Sequence, residues 1–380
     1  RYQLGVMVTA SHNPAEYNGL KLVGPDHLQI GMGGGMELVR DRSVGDELFV
    51  DATLSGEEGD DVNVLDRYLD NVFSLVGSNS LPVAGTIVVD AGNGMQGYVM
   101  PILKKRLAPL TVEPLYWELD GRFPHHEANP LKADTLDALK ARVVETEALC
   151  GFAFDGDADR IGIVDEKGEQ IPGDLMMALL AQELGRMHPA MTMLYDLRSS
   201  KTVAEVVEAQ GGVAKMFRVG SAHLKKGLRE NNALFAGELS MHFYFDAFHG
   251  CESGDYVLLL ILQLLGRTQK PLSVLWQDLR RYGHSGEQNY TVQKPALFLE
   301  ALRARFEASH LGTISDLDGV RIDQWSGATD DWWASIRSSN TEPLVRLNVE
   351  TRDPAALSTK LLELEAMFKE IDPSIAKVHH

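Results

Sequence analysis

The chain has 380 residues, of which 44% are hydrophobic and 24% are charged, as in ordinary folded globular proteins. Lys and Arg number 36 against 54 Asp and Glu, which leaves a formal net charge of −18. This composition excludes disordered and fibrous classes, and the negative balance argues against nucleic acid and anionic membranes as partners.

The two cysteines, Cys150 and Cys251, form no CxxC pair. Neither a disulfide framework nor a cysteine zinc site is therefore expected, which favours a reducing compartment, the cytoplasm. The longest apolar stretch begins at Tyr256 and reaches about half of the ~20 residues that a membrane span needs. No secretory signal is visible.

Short β-branched runs alternate with helical periodicity along most of the chain, which predicts α/β layers. Strands are expected at 86–90, 152–155 and 192–196, and a helix at 201–210. The last stretch differs, because residues 332–337 and 344–350 alternate like half-solvated antiparallel strands.

An amphipathic helix follows at 354–369, so the C-terminal part is predicted to be α+β. The expected organisation is three α/β domains with mixed sheets, followed by this smaller α+β domain. The predicted boundaries are 1–80, 81–170, 171–288 and 289–380.

Four polar clusters each follow a short apolar strand, and they occupy residues 9–14, 155–160, 237–242 and 337–343. In open α/β sheets, ligands bind outside the carboxyl ends of the strands. The clusters therefore predict one composite site.

The second cluster places Asp155, Asp157 and Asp159 on one turn, where three carboxylates can converge on a hard divalent cation. A solvated acidic turn is the plain alternative. An EF-hand fails because Arg160 stands where that loop requires Gly and because the flanks are strands. An aspartyl-phosphate phosphatase with Asp155 as its nucleophile is a further alternative. The favoured hypothesis is a Mg²⁺ site.

The first cluster offers Ser11 at the end of a strand, and Pro14 suits the first turn of a helix. The sequence therefore predicts a strand-to-helix elbow at Ser11, with a simple N-cap as the alternative interpretation. No recognisable Asp/Glu–His pair supports a hydrolase triad. A hydroxyl that carries a phosphoryl group beside a divalent metal is chemically simpler.

The other two clusters carry groups that suit a sugar phosphate. Residues 337–343 combine the Arg337 guanidinium with hydroxyl, amide and backbone donors, a set that grips a phosphate dianion, although a polar turn is the common alternative. Residues 237–242 offer a carboxylate, a hydroxyl and an imidazole, which suit vicinal hydroxyls. His242 taken alone would more often be a structural histidine.

In this order the four clusters resemble those of the α-D-phosphohexomutase family, within it the bacterial phosphomannomutase/phosphoglucomutase branch. The resemblance spans nearly the whole chain. Its most specific signatures are ThrAlaSerHisAsnPro (9–14) with AsnGlyLeuLys (18–21), and AspGlyAspAlaAspArg (155–160). ArgSerSerAsnThrGluPro (337–343), ValValAspAlaGlyAsnGly (88–94) and PheProHisHis (123–126) agree with it.

The resemblance implies a four-domain phosphohexomutase whose active site is the cleft among all four domains. It implies interconversion of hexose 6-phosphate and hexose 1-phosphate, through a phosphoserine and a hexose 1,6-bisphosphate intermediate that also serves as activator. Mannose phosphate is the expected substrate, with glucose phosphate as the alternative.

The resemblance also assigns roles to individual residues. Metal ligation to Mg²⁺ falls to the phosphate on Ser11 with Asp155, Asp157 and Asp159. Catalytic roles fall to Ser11 as the phosphoserine, to His12 and Arg160 around the moving phosphoryl group, and to Lys21 as the acid/base partner of the sugar hydroxyl. Substrate binding falls to Arg198, Glu238, Ser240, His242, Arg337, Ser339, Asn340 and Thr341.

Two positions differ from the family pattern. Met241 stands where relatives often carry Gly, and Ser221 stands where some carry His. The N-terminal half of domain 1, which precedes the serine motif in the family, is also expected to be missing from the 380 residues. A catalytically incomplete protein that binds a divalent cation or a sugar phosphate is therefore a second hypothesis, and a phosphatase is a third.

Overall fold

The computed structural model describes residues 3–31, 34–44, 62–77, 83–339 and 343–378. The chain forms two compact units. Unit 1 comprises Arg1–Ile171, Ser221–Phe235 and Ser240–Ser273, and unit 2 comprises Pro172–Gly220, Ala236–Leu239 and Val274–His380.

The described strands and helices alternate through most of the chain, as the sequence predicts. The strands are β1 (Gly5–Val8), β2 (Leu20–Val23), β3 (Thr86–Asp90), β4 (Thr111–Leu115), β5 (Cys150–Phe154), β6 (Ile161–Asp165), β7 (Thr192–Asp196), β8 (Val213–Phe217), β9 (Phe235–Gly237), β10 (Phe243–Phe245), β11 (Cys251–Glu252), β12 (Gly283–His284), β13 (Gln288–Thr291), β14 (Thr313–Ser315), β15 (Val320–Gln324), β16 (Trp332–Ser338), β17 (Leu344–Thr351) and β18 (Ala376–Val378). The helices are α1 (Met36–Ser43), α2 (Leu65–Val76), α3 (Gln96–Leu103), α4 (Asp137–Glu145), α5 (Gly173–Met187), α6 (Lys201–Glu208), α7 (Ser221–Glu230), α8 (Gly254–Thr268), α9 (Leu272–Gln277), α10 (Pro295–Ser309) and α11 (Leu357–Ile371). Short 3₁₀ turns lie at Lys104–Arg106, Asp134–Leu136, Asp246–Phe248 and Pro354–Ala356.

A mixed sheet in the order β4-β3-β5-β6 organises unit 1. β3 is parallel to β4 and β5, whereas β5 and β6 are antiparallel. Helix α4 packs on this sheet through Leu139 and Val143. A Cβ atom at Gly151 would lie 2.6 Å from a methyl group of Val143, so this close approach of helix and strand requires glycine. The turn between β5 and β6, residues 155–160, therefore begins at the end of a buried and closely packed strand.

β1 and β2 form a separate antiparallel pair in unit 1, with Lys21 opposite Met7. The predicted helix after Pro14 is wrong, because a turn spans Pro14 to Tyr17 and the chain enters β2 at Leu20. Only a return strand places Lys21 beside the end of β1. The strand-to-helix elbow at Ser11 is therefore a loop between two strands.

Unit 2 contains the parallel pair β7–β8 and an antiparallel sheet in the order β14-β15-β16-β17-β13-β18, with β12 also paired to β17. Helices α10 and α11 cover one face of that sheet, and the core between them includes Phe298, Leu302, Phe306, Leu364 and Phe368. The α/β class followed by an α+β part is confirmed.

The expectation of half-solvated strands in this sheet is wrong for β16 and β17. Trp333, Ser335 and Glu350 on the second face are all buried. That face packs within unit 2 against the start of α6, where Glu350 accepts a hydrogen bond from the backbone N–H of Lys201 at 3.0 Å. In β16 and β17 the alternation of polar and apolar residues therefore reflects two buried faces, one apolar and one polar.

None of the helices within the described ranges is long and apolar enough to span a bilayer. The four domain boundaries stay a prediction, since the two compact units divide the chain differently by returning residues 221–235 and 240–273 to unit 1.

We expect Phe368→Ala to lower the free energy of unfolding by about 3–5 kcal/mol, because the fully buried ring packs edge-to-face on Tyr290 and Phe298. Chemical denaturation measures this loss. Leu362→Ala on the same helix is the control, since Leu362 is 66% exposed and should change stability by about 0.5 kcal/mol or less. Equal effects of both variants would contradict the packing described for α11.

Candidate active site

Three carboxylates converge on the β5–β6 turn in unit 1. One oxygen from each of Asp155, Asp157 and Asp159 lies within 4.8 Å of the others. The turn is closed by Asp155, whose Oδ1 accepts a hydrogen bond from the backbone N–H of Arg160 at 3.1 Å. Asp155 is fully buried, so this turn concentrates negative charge where water does not screen it.

The pKa values of the groups on the turn reflect this concentration of negative charge. Burial, with the charges of Asp159 and Asp157, raises the pKa of Asp155 to about 8. Lys21 offsets part of the charge, because its Nζ lies 2.6 Å from Asp157 and 2.5 Å from Asp159. Burial opposes a charged Lys21, but the two carboxylates outweigh it and raise its pKa. Lys21 is therefore an ammonium at neutral pH.

The donor set fits a divalent cation. Carboxylate oxygens are the ligands that Mg²⁺ and Ca²⁺ prefer. Within the described ranges, Oδ1 of Asp157 is buried and receives no hydrogen bond. A buried carboxylate oxygen without a donor is costly unless a cation or a water satisfies it.

Ser11 lies against this turn. Its Oγ is 3.4 Å from Oδ2 of Asp155 and 3.2 Å from Nδ1 of His12. Thr9 fixes the loop, since its hydroxyl donates to Asp157 at 2.9 Å and accepts from the backbone N–H of Ser11 at 2.8 Å. Ser11 adopts φ of 57°, a left-handed conformation that non-glycine residues rarely take.

Gly156 makes this approach possible. A Cβ atom there would lie 2.4 Å from the backbone oxygen of Ser11, which is closer than any side chain allows. The glycine of the aspartate turn therefore admits the serine loop.

His12, Arg160 and His242 complete the cluster in unit 1. Burial, with the charges of Arg160 and His242, lowers the pKa of His12 to about 4. Nε of Arg160 donates to Nε2 of His242 at 3.2 Å, and Nδ1 of His242 lies 3.2 Å from Oγ of Ser240. His12 is therefore a neutral imidazole at neutral pH in the protein alone.

Met241 lies between Ser240 and His242, two of the predicted substrate-binding residues. It adopts φ of 65° and is buried. Glycine takes this conformation without a penalty, whereas residues with a side chain rarely adopt it. The methionine departs from the pattern at a strained backbone position.

The remaining candidates lie in unit 2, around Arg198. Its NH2 and Nε donate to Asp196 at 2.6 and 3.2 Å, and Asp196 also accepts from the backbone N–H of Leu239 at 2.8 Å. Glu238 lies 3.9 Å from Arg198 and accepts from the backbone N–H of Gly220 at 2.9 Å. Buried Arg198 is thus fixed just after β7 by Asp196, the last residue of that strand, and by Glu238, which follows β9.

Arg337 at the end of β16 is linked to this group through Glu287. Arg337 NH2 lies 3.0 Å from Glu287 Oε2, and Arg346 NH1 lies 2.8 Å from Glu287 Oε1. Ser339 accepts from NH2 of Arg346 at 3.4 Å. Asn340 and Thr341, both predicted phosphate ligands, lie outside the described residues.

The structure thus brings the predicted residues together in two groups. The group in unit 1 contains Ser11, His12, Lys21, Asp155, Asp157, Asp159, Arg160, Ser240 and His242. The group in unit 2 contains Arg198, Glu238, Arg337 and Ser339. Sequence reasoning missed Thr9, Asp196, Glu287 and Arg346. Arg346 had a usable signal, since the two predicted strands 332–337 and 344–350 can form an antiparallel hairpin that brings an arginine of each strand to the same end.

A histidine–carboxylate contact lies at the end of β3. Nε2 of His126 is 3.0 Å from Oδ2 of Asp90, and its Nδ1 is 2.8 Å from the backbone oxygen of Glu127. Both ring nitrogens face acceptors, so the doubly protonated imidazolium satisfies both contacts. Burial opposes the charge, but Asp90 outweighs it and raises the pKa of His126.

Models of the phosphoglucomutase/phosphomannomutase family match four parts of the chain in order. The alpha/beta/alpha domain I model matches residues 1–33, domain II matches 66–168, domain III matches 172–282 and the C-terminal domain matches 287–366. The four-domain architecture is therefore confirmed as that of this family.

Curated relatives and solved structures agree. A phosphomannomutase of Methanocaldococcus jannaschii is 32% identical over 99% of this chain and 81% of its own length. A phosphomannomutase of Salmonella montevideo is 35% identical over 97% of this chain and 79% of its own. A phosphoglucomutase/phosphomannomutase family protein of Burkholderia thailandensis superposes with a TM-score of 0.81 at 29% identity, over 99% of this chain and 78% of that one.

A more distant structure shares the fold. The N-acetylphosphoglucosamine mutase of Aspergillus fumigatus, solved in complex with GlcNAc-6P and magnesium, superposes with a TM-score of 0.66 at 17% identity. The match covers 97% of this chain and 88% of that one.

The His126 contact predicts a pH-dependent stability. Because the folded-state pKa lies above the ordinary 6.5, the stabilisation is complete below that value and is lost as pH rises through the folded-state pKa. We therefore expect Asp90→Asn, which retains an acceptor for the N–H of Gly92, to destabilise the protein more at about pH 5.5 than at about pH 9. Urea denaturation at both pH values measures the difference, and a pH-independent loss would contradict the ion pair.

Proposed function

The chain belongs to the phosphoglucomutase/phosphomannomutase family, and on that premise we propose that it interconverts hexose 6-phosphate and hexose 1-phosphate, with mannose phosphate as the preferred substrate. The reaction runs through a phosphoserine at Ser11 and a hexose 1,6-bisphosphate intermediate. The observation that carries the proposal is the Ser11 hydroxyl 3.4 Å from a buried aspartate in a three-carboxylate turn.

We propose Mg²⁺ as the divalent cation, held by Asp155, Asp157, Asp159 and the phosphate on Ser11. The buried, donor-free Oδ1 of Asp157 and the convergence of three carboxylates support this ligand set. When bound, Mg²⁺ supplies positive charge that screens the phosphoryl oxygens during transfer. The residues of the turn supply the negative charge that selects a dication over a monovalent one.

Lys21 and Arg160 provide the protein's own positive charge around Ser11. When the P–O bond to Ser11 breaks and the sugar hydroxyl attacks phosphorus, the hydroxyl loses a proton and the serine oxygen gains one. Lys21, which Asp157 and Asp159 hold as an ammonium, is assigned the donation of a proton to the departing serine oxygen, and the neutral amine that remains accepts the sugar proton. Neutral His12, 3.2 Å from the serine oxygen, orients it.

Substrate recognition is assigned to the remaining residues. The carboxylate, hydroxyl and imidazole of Glu238, Ser240 and His242 suit sugar hydroxyls. Arg337, with Ser339, Asn340 and Thr341, suits the phosphate that is not being transferred, and Arg198 adds positive charge.

The free thiols of Cys150 and Cys251 fit a cytoplasmic protein.

Ser11→Ala tests the proposal against a phosphatase and a binding protein. We expect intact-mass analysis of the unmodified protein to show a phosphate adduct that hexose 6-phosphate removes and hexose 1,6-bisphosphate restores. Ser11→Ala should lose both the adduct and hexose phosphate interconversion, because its side chain has no hydroxyl to carry the phosphoryl group.

The alternatives give different results in the same measurement. An aspartyl phosphatase would keep its turnover in Ser11→Ala, since its nucleophile would be Asp155. A binding protein would show no adduct in the unmodified chain. Undiminished interconversion by Ser11→Ala would refute the phosphoserine mechanism.

Asp157→Asn tests the metal site. We expect Mg²⁺ affinity to fall by about tenfold or more in calorimetry, because one of three negative charges is removed from the turn. Asp137→Asn is the matched control, since it removes the same charge from a side chain that is 75% exposed on α4. Equal Mg²⁺ affinity in the two variants would show that the turn is not the metal site.

A further inference from the structure

Two arginines face each other across the β16–β17 pair. Arg337 and Arg346 are direct partners in the antiparallel register, so two positive charges occupy one cross-strand pair. Like charges in this position destabilise a sheet unless an anion lies between them. The pair therefore requires a counter-charge.

Glu287 supplies that counter-charge in the described structure. It precedes β13, and its two carboxylate oxygens are divided between the arginines, with Oε1 on Arg346 and Oε2 on Arg337. Arg198 lies 3.3 Å from the same Oε2. Burial opposes a charged Glu287, but Arg198, Arg337 and Arg346 outweigh it and lower its pKa, so the carboxylate is ionised at neutral pH.

The two guanidinium groups retain donor capacity. Within the described part of the chain, Nε of Arg337 and Nε of Arg346 are buried and have no hydrogen-bond partner. Arg198 differs, because its Nε and Nη2 already donate hydrogen bonds to Asp196. Arg337 and Arg346 thus carry two positive charges against the single charge of Glu287, with unpaired donors beside it.

We propose that Glu287 holds, in the ligand-free protein, the place on Arg337 and Arg346 for which the substrate's phosphate competes. This inference rests on the proposed function for the identity of the anion, a phosphate monoester dianion, and it adds Arg346 as a second phosphate-binding arginine. Phosphate binding is then an exchange of anions. Its oxygens take the guanidinium donors as the Glu287 carboxylate gives them up, and no covalent bond changes.

Two roles of Glu287 predict opposite changes in phosphate affinity: competition with phosphate for the arginines, and simple positioning of the arginines. If Glu287 competes with phosphate, removing its charge strengthens phosphate binding. If Glu287 only orients the guanidinium groups, removing its charge disorders them and weakens phosphate binding. The sign of the change therefore decides between the two roles.

The experiment is calorimetric titration of inorganic phosphate into Glu287→Gln and the unmodified chain, with EDTA present to remove divalent cations. We expect phosphate to bind Glu287→Gln about fivefold more tightly or better. The melting temperature without phosphate should fall, since the cross-strand arginines lose their counter-charge. Unchanged or weaker phosphate binding would overturn the proposal.

Two further variants test whether the gain in phosphate affinity arises at the arginine pair. Glu365→Gln removes the same charge from a carboxylate that contacts Tyr290 and Lys377 elsewhere in unit 2, and it should leave phosphate affinity unchanged. Adding Arg337→Ala to Glu287→Gln should abolish the gain, and a gain that survives would show that the phosphate binds elsewhere.

Glu287→Asp covers the case in which Glu287→Gln does not fold. It keeps the charge but shortens the reach to the arginines, so its phosphate affinity should lie above that of the unmodified chain, and a lower affinity would overturn the proposal. Because the probe is inorganic phosphate, failure of mutase turnover would count against the proposed function alone.

Discussion

The need to neutralise three carboxylates on one buried turn governs the arrangement of unit 1. Asp155, Asp157 and Asp159 lie too close together and too far from water to be ionised without nearby positive charge. Lys21 supplies one such charge from β2. The short β1–β2 pair is thereby tied to the end of the central sheet, and Ser11, on the loop between the two strands, is carried to the aspartates.

Backbone geometry at this contact leaves little freedom. Gly156 leaves room for the backbone oxygen of Ser11, and Ser11 itself is held in a left-handed conformation by its hydrogen bond to Thr9. Conformations of this kind cost about 1–3 kcal/mol and persist only where the surroundings impose them. The Lys21 ion pairs and the Thr9–Asp157 bond are the interactions that impose this one. The serine is therefore presented in one orientation before any ligand binds.

Much of this arrangement is predictable from the sequence, because local signals suffice for it. The strands at 86–90 and 192–196 are uninterrupted apolar runs that end at turn residues, and the structure has β3 and β7 at those bounds. The convergence of three aspartates follows from their spacing on one turn. The loop after Ser11 was not predictable in this way, since Pro14 is compatible with the start of a helix as well as with a turn. The interaction that favours strand β2 is the ion pairing of Lys21 with Asp157 and Asp159, which are distant along the chain.

The pairing of Arg337 with Arg346, and of both with Glu287, depends on strand register rather than on local pattern. Glu287 is about fifty residues from Arg337 along the chain, and it reaches the arginines only because β13 pairs with β17. The second face of the sheet likewise meets a distant segment, since Glu350 on β17 accepts a hydrogen bond from the backbone N–H of Lys201 at the start of α6. Periodicity reports which residues share a face of a strand, but it does not report what covers that face.

The two clusters use the same physical device with opposite signs. Lys21 lies among carboxylates that can take a dication, and Glu287 lies among guanidinium groups that can take a dianion. In each cluster the built-in single charge neutralises only part of the opposite charge around it, so a singly charged ligand that replaces it leaves the charge balance unchanged. A doubly charged ligand does gain, since its attraction to the surrounding groups scales with its charge. Affinity in such a site is a difference between two ion pairings, and that difference favours divalent ions over singly charged ones.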